Sequence, residues 1–270
     1  MALWDKITSR GNVEDRRAMG PGLAVGGLSL TGLAIVLLLN FIGGGNVGDV
    51  LTDLQNIPAS QSSTYNTADF EGSDSYEVFV STVLGSNNEL WTKVFNQNNI
   101  SYIAPKVVLF RGATQSSCGG ASSSSGPHYC PLDSTIYLDE TFFDELTSRL
   151  GAEGGDVAEA YVISHEVGHH VQNLLNRMRE NPSNTESVKT ELQADCLAGI
   201  WAFSIKDLGV FEPNEINEAL DAASAVGDDR IQKAVNGRIN PETWTHGSSA
   251  DRVNAFNLGF STGIPSNCGL

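Results

Sequence analysis

Three side chains within five residues, His165, Glu166 and His169, are of types that together can hold and use a metal ion. Imidazoles four residues apart share one face of a helix, where both can grip one cation. A carboxylate directly after the first histidine is placed to take a proton from water on that cation. Catalytic zinc usually has three protein ligands and one open position, so a third ligand is required. Glu191 and Asp195 are also four residues apart. One of them can complete the ligand set while the other accepts a hydrogen bond from a ligand imidazole and fixes its tautomer. Glu191 is assigned as the ligand and Asp195 as the outer partner, and the reverse assignment stays open. The expected cofactor is Zn2+. The expected chemistry is hydrolysis of a peptide bond by a metal-activated water, with Glu166 as general base. A bare motif of this kind can be accidental, and the competing reading is a polar helix face with two hydrogen-bonded histidines.

These residues need helices to position them. Apolar residues at 158, 161, 162, 171, 174 and 175 recur with helical spacing, which predicts a helix over residues 157–178 around the motif. Ala194, Cys196, Leu197 and Ala198 flank Asp195 and predict a buried second helix. Upstream, residues 76–97 carry helical spacing broken near Gly85, and 107–110 and 135–138 read as buried strands. The layout is α+β, with a small sheet in front and a mainly helical back half. No internal repeat is present.

Residues 23–42 carry no charge and end in a strongly apolar run. Twenty helical residues are long enough to cross a hydrocarbon core of about 30 Å, which predicts a transmembrane helix. A cleaved signal peptide is the competing reading. Lys6, Arg10, Arg16 and Arg17 precede the segment, and the next basic residue is Lys93. Because Lys and Arg favour the cytoplasmic side, the expectation is a single-pass cell-membrane protein with an extracytoplasmic catalytic domain. The expected organisation is therefore a cytoplasmic leader at 1–22, an anchor at 23–42, a polar linker at 43–73 and a metallopeptidase domain at 74–270. With 32 acidic against 16 basic residues, the chain lacks the cationic face that nucleic acid requires. The expected partners are a peptide or protein substrate and, through the N-terminal helix, the membrane. Four cysteines in an exported chain suggest disulfides. Cys118 and Cys130 flank a loop of Gly, Ala and Ser, so a local bridge is the simplest choice, leaving Cys196 with Cys268. Structural zinc is the alternative, although no CxxC pair is present.

The chain resembles the bacterial neutral zinc metallopeptidases, membrane-anchored proteins of the zincin class. The resemblance rests on Gly11 to Arg17, the stretch from Gln115 to Asp139 with Cys118 and Cys130, and the stretches His165 to Gln172 and Glu191 to Trp201. Gly227 to Gln232 and Thr245 to Ser249 complete it. It implies a zincin-like fold and a zinc site, and the Glu191/Asp195 pair is similar to the thermolysin-like pattern. It also implies that the strand holding Tyr137 lines the cleft and pairs with extended substrate. His246 is a candidate for stabilising the oxyanion, against a histidine hydrogen-bonded at a helix entry. Arg230 is a candidate for binding a substrate carboxylate, against a structural ion pair. His170 points away from the ligand face and is expected to pack, and His128 is expected on the surface. Two other functions remain as alternatives. One is a non-catalytic membrane-tethered scaffold, against which Glu166 argues. The other is a metal amidase acting on cell-wall peptides.

Overall fold

The computed structural model describes residues 1–19 and 74–270. After a short 3-10 turn at Trp4–Lys6, strand β1 spans Asn12–Asp15 and helix α1 spans Ser75–Gln97. Strand β2 (Lys106–Leu109) precedes a hairpin of β3 (Ala113–Ser116) and β4 (Gly119–Ser122), and β5 (His128–Cys130) and β6 (Thr135–Leu138) follow. The rest is helical: α2 (Thr141–Ser148), α3 (Asp156–Leu174), α4 (Asn184–Ile205), α5 (Ile216–Ala225), α6 (Asp228–Asn236) and α7 (Ser249–Thr262). The main sheet has the order β1-β2-β6-β5. Its first three strands are parallel, and β5 is antiparallel to β6 at one edge.

Helix α3 is the axis of the molecule. From Val157 to Gln172 nearly every side chain is buried, on all faces of the helix. That is the pattern of a helix enclosed by other elements. Its neighbours are α1, α4, α5 and the sheet. Helix α4 starts with a capping box in which Ser183 and Glu186 satisfy each other's backbone amides. It then packs on α7 so closely that a Cβ on Gly199 would lie 2.1 Å from the carbonyl oxygen of Phe256. Only glycine allows that approach.

Three expectations are corrected. Residues 1–19 are not a separate leader but part of the domain. Strand β1 pairs with β2 from Asn12↔Lys106 to Asp15↔Leu109. Trp4 stacks on Trp201 at 6.4 Å and meets Phe79 edge-on at 5.2 Å, while its indole nitrogen donates to Asp156 at 2.8 Å. The expected break at Gly85 is instead a crossing point, where a Cβ would lie 2.5 Å from the backbone nitrogen of Arg10. Helix α1 runs through it without interruption.

The third correction concerns the membrane helix. Among the described residues, no helix is long and apolar enough to cross a membrane. The expected anchor at 23–42 and linker at 43–73 lie outside the described residues. The described fold is α+β and holds no such helix, against the expectation. Because hydrogen-bonded strands cannot have a bilayer between them, β1 and β2 stand on the same side of any membrane.

Candidate metal centre

His165, Glu166 and His169 lie in the middle of α3, and Glu191 and Asp195 lie one turn apart on the crossing helix α4. Glu191 faces both imidazoles, its carboxylate oxygens 3.2 Å from His165 Nε2 and 3.4 Å from His169 Nε2. The two rings stand nearly perpendicular with centroids 4.7 Å apart. One donor atom from each of His165, His169 and Glu191 lies within 4.8 Å of the others. Among the described residues, this is the one group of three or more His, Cys, Asp or Glu side chains able to hold a metal ion. Two imidazole nitrogens and a carboxylate oxygen converging on one point form a donor set that suits zinc.

The outer nitrogens of both rings are held. Asp195, fully buried, faces His165 Nδ1 at 2.8 Å, and Gln172 Oε1 faces His169 Nδ1 at 2.8 Å. Each contact leaves the Nε2 atom for the metal, the usual task of an outer partner. Asp195 is itself gripped by the Tyr161 hydroxyl at 2.6 Å and by Arg252, whose Nε and Nη2 each donate at 2.9 Å. The electrostatics agree with a site made for a cation. Burial opposes charge on His165, but Asp195 and then Glu191 outweigh it and push its pKa up to about 10. Burial likewise opposes charge on His169, and Glu191 again prevails to raise its pKa. Burial pushes the Glu191 carboxyl up, but the imidazoles of His169 and His165 hold it well below its ordinary value.

The centre opens into a cleft of about 580 Å³. Glu166 lines it, 6% exposed and next to His165. Residues 126–129 at the edge strand form one wall; Val226, Ile231 and His246 contribute to the other. A further depression of about 830 Å³ lies between Ser9, Arg10 and α1, away from His165, His169 and Glu191.

The remaining candidates divide. His246 reaches the cleft, its side chain half exposed and its Nδ1 3.2 Å from Asp228 Oδ1. Asp228 Oδ2 accepts the backbone N–H groups of Thr245, His246 and Gly247 at 2.8, 2.6 and 2.9 Å, so one carboxylate shapes the loop and faces the ring. Tyr137 does not line the cleft. It lies on the sheet face with Val108 and Phe110, donates to Asp133 at 2.9 Å and stacks on His128. The neighbouring β5 lines the cleft instead, through His128, which was expected on the surface, and Tyr129. Arg230 also lies outside: it donates to the Gly151 carbonyl at 2.6 Å and sits 3.7 Å from Asp221, a structural pairing. His170 packs as expected, held between the Tyr129 hydroxyl at 3.0 Å and the Ile103 carbonyl at 2.7 Å. Burial depresses its pKa to about 4. Both disulfides are formed, Cys118–Cys130 and Cys196–Cys268.

Sequence reasoning passed over Tyr161, Gln172, Asp228 and Arg252. Gln172 had a usable signal, three residues after His169 on the same helix. Nothing near Arg252 in the chain pointed to Asp195, 57 residues before it.

The comparisons with known proteins agree with this geometry. A family described as "Putative neutral zinc metallopeptidase" matches residues 2–270. The chain belongs to that family. Among its relatives is a protein of Escherichia coli strain K12 bearing the name "Uncharacterized protein YpfJ", 39% identical over 98% of this chain and 97% of its own. Another, "Uncharacterized protein Mb2605" of Mycobacterium bovis, is 46% identical over 62% of each chain. No solved structure matches significantly. Membership of this metallopeptidase family covers the N-terminal strand as well as the helices, in keeping with one domain built from both.

Proposed function

We propose that this protein hydrolyses peptide bonds with a zinc ion held by His165, His169 and Glu191. The observation that carries the reading is the convergence of these three donors within 4.8 Å, with Glu166 beside them in an open cleft. Zinc bound there supplies Lewis-acid polarisation of a carbonyl and lowers the pKa of water toward about 7. Glu166 takes the proton of the attacking water and passes it to the departing amine. His246, oriented through Asp228, donates a hydrogen bond to the carbonyl oxygen as negative charge develops on it. Strand β5, at the edge of the sheet, offers its backbone to an extended peptide substrate.

Metal analysis and peptide hydrolysis with the purified protein test this together. Glu166→Gln should keep zinc and lose hydrolysis by about 10²–10⁴-fold, the scale of general-base catalysis. His165→Ala should lose both. A Glu166→Gln protein as zinc-poor as His165→Ala would make Glu166 a ligand rather than a base.

A further inference from the structure

The second metal imidazole is connected to the far end of the chain. Gln172 is 1% exposed, and its amide nitrogen donates to the Thr190 carbonyl at 2.7 Å and to Gln193 Oε1 at 3.1 Å. Gln193 in turn donates through its own amide nitrogen to the carbonyl of Cys268 at 2.8 Å. Cys268 ends a short 3-10 turn (Pro265–Cys268) and is bonded to Cys196 of α4. Arg177, just past the end of α3, donates to the carbonyl of Gly269. The C-terminal strap is thus fastened to both helices that carry the metal ligands.

The direction of each hydrogen bond is set by chemistry. A backbone carbonyl only accepts, so the Gln193 atom facing Cys268 must be its NH2 group and its oxygen must face Gln172. Thr190 imposes the same choice on Gln172. Its oxygen therefore faces His169 Nδ1, which must carry the proton. In the neutral ring the lone pair then resides on Nε2, toward Glu191 and the metal position. Gln172 is thus oriented by two acceptors, the Thr190 carbonyl and Gln193 Oε1, and the second of these is itself set by the carbonyl of Cys268.

We propose that the C-terminal strap is a remote part of the metal centre, and that Gln193 is a positioning residue relaying the Cys268 carbonyl through Gln172 to His169. The proposal rests on the zinc reading above. It assigns a role to two residues that touch neither metal nor substrate. If Gln193 is removed, the Gln172 amide loses one of the two acceptors that fix its orientation, and the His169 ring loses part of its restraint.

The test is a double-mutant cycle on zinc affinity in the full chain, measured by competition with a chromophoric chelator. Gln172→Leu should weaken zinc binding about 10–100-fold, the scale of an outer partner. Gln193→Leu should weaken it by about tenfold or less. The double variant should bind no more weakly than Gln172→Leu alone, because Gln193 acts only through Gln172. Replacing both Cys196 and Cys268 by Ser should also weaken binding, and should cause no further loss when it is added to Gln172→Leu. If that variant does not fold, the glutamine cycle decides alone. Thermal unfolding of the zinc-free single variants shows that they fold. Wild-type affinity in folded Gln193→Leu, or losses that multiply in the double variant, would overturn the relay. Wild-type zinc binding no tighter than that of His165→Ala would instead overturn the metal reading, a result no arm of the cycle can mimic.

Discussion

Asp195 has no exposed surface, and its two oxygens meet four polar atoms: His165 Nδ1, the Tyr161 hydroxyl, and Nε and Nη2 of Arg252. A carboxylate so surrounded stays ionised, because Arg252 and His165 together outweigh the cost of its burial. Asp195→Asn should leave a zinc site weakened about 10–100-fold, whereas Glu191→Ala should empty it; chelator competition separates them. Arg252→Ala should cost about 3–5 kcal/mol of stability by denaturant unfolding, because it strands a buried charge. Glu159, two turns before the ligands, titrates differently. Burial is the largest cause of its raised pKa, about 7 in the fold against an ordinary 4.5. Between these values the folded protein binds the proton and the unfolded chain does not, so stability falls as pH rises. The shift corresponds to roughly 3 kcal/mol fully developed above pH 7. Glu159→Gln should therefore raise the thermal midpoint at pH 8 and change it little at pH 4.5, as read by calorimetry. An equal effect at both pH values would show that the carboxyl is not the source.

At the scale of elements, the site is a crossing of α3 and α4 beside an edge strand. Helix periodicity around the motif predicted α3 to within one residue at its start, and the apolar run around Asp195 predicted α4. The strand at 135–138 was also legible, because both its faces are covered and it reads as a continuous apolar run. The cleft wall was not. Strand β5 has only three residues, too few for a periodic signal, and it is positioned by the Tyr129 hydroxyl packing against His170 and Asn173 of α3. Helix α4 has a second fastening. Cys196–Cys268 closes a separation of 72 residues, for which loop entropy suggests stabilisation of roughly 4 kcal/mol. Reduction by a dithiol should lower the thermal midpoint and loosen zinc together. Loss of stability with unchanged zinc affinity would confine the bridge to the fold.

Across the whole molecule, Arg17 joins the two described stretches of the chain, 1–19 and 74–270. It is 1% exposed and pairs with Asp15 at 2.7 Å, Asp74 at 2.9 Å and Glu140 at 2.8 Å. Asp74 also caps α1 by accepting the backbone amide of Glu77. The cluster thus fixes the N-terminal strand, the start of α1 and the entry to α2 at one point. Arg17→Ala should cost about 3–5 kcal/mol, since three carboxylates lose a common cation. Urea unfolding measures it, and a change below about 1 kcal/mol would mean that β1 contributes little to the domain.

The candidate metal residues were legible in the sequence, because His165/His169 and Glu191/Asp195 are paired at helical spacing and a helix converts that spacing directly into a shared face. The carboxylate roles were narrowed to Glu191 and Asp195 in the same way, and the cysteine pairing followed from one short loop. What supports those residues became visible only in the fold. Arg252, Asp228 and the strap at Cys268 reach the site from distant parts of the chain, and no local period records such a contact. The basic leader illustrates the limit most directly. Its charges read as a membrane flank, yet Arg16 pairs with Glu14 and Arg17 is buried among carboxylates contributed by three separate segments. Charge along a sequence states how many partners a residue needs; only the fold states where they are.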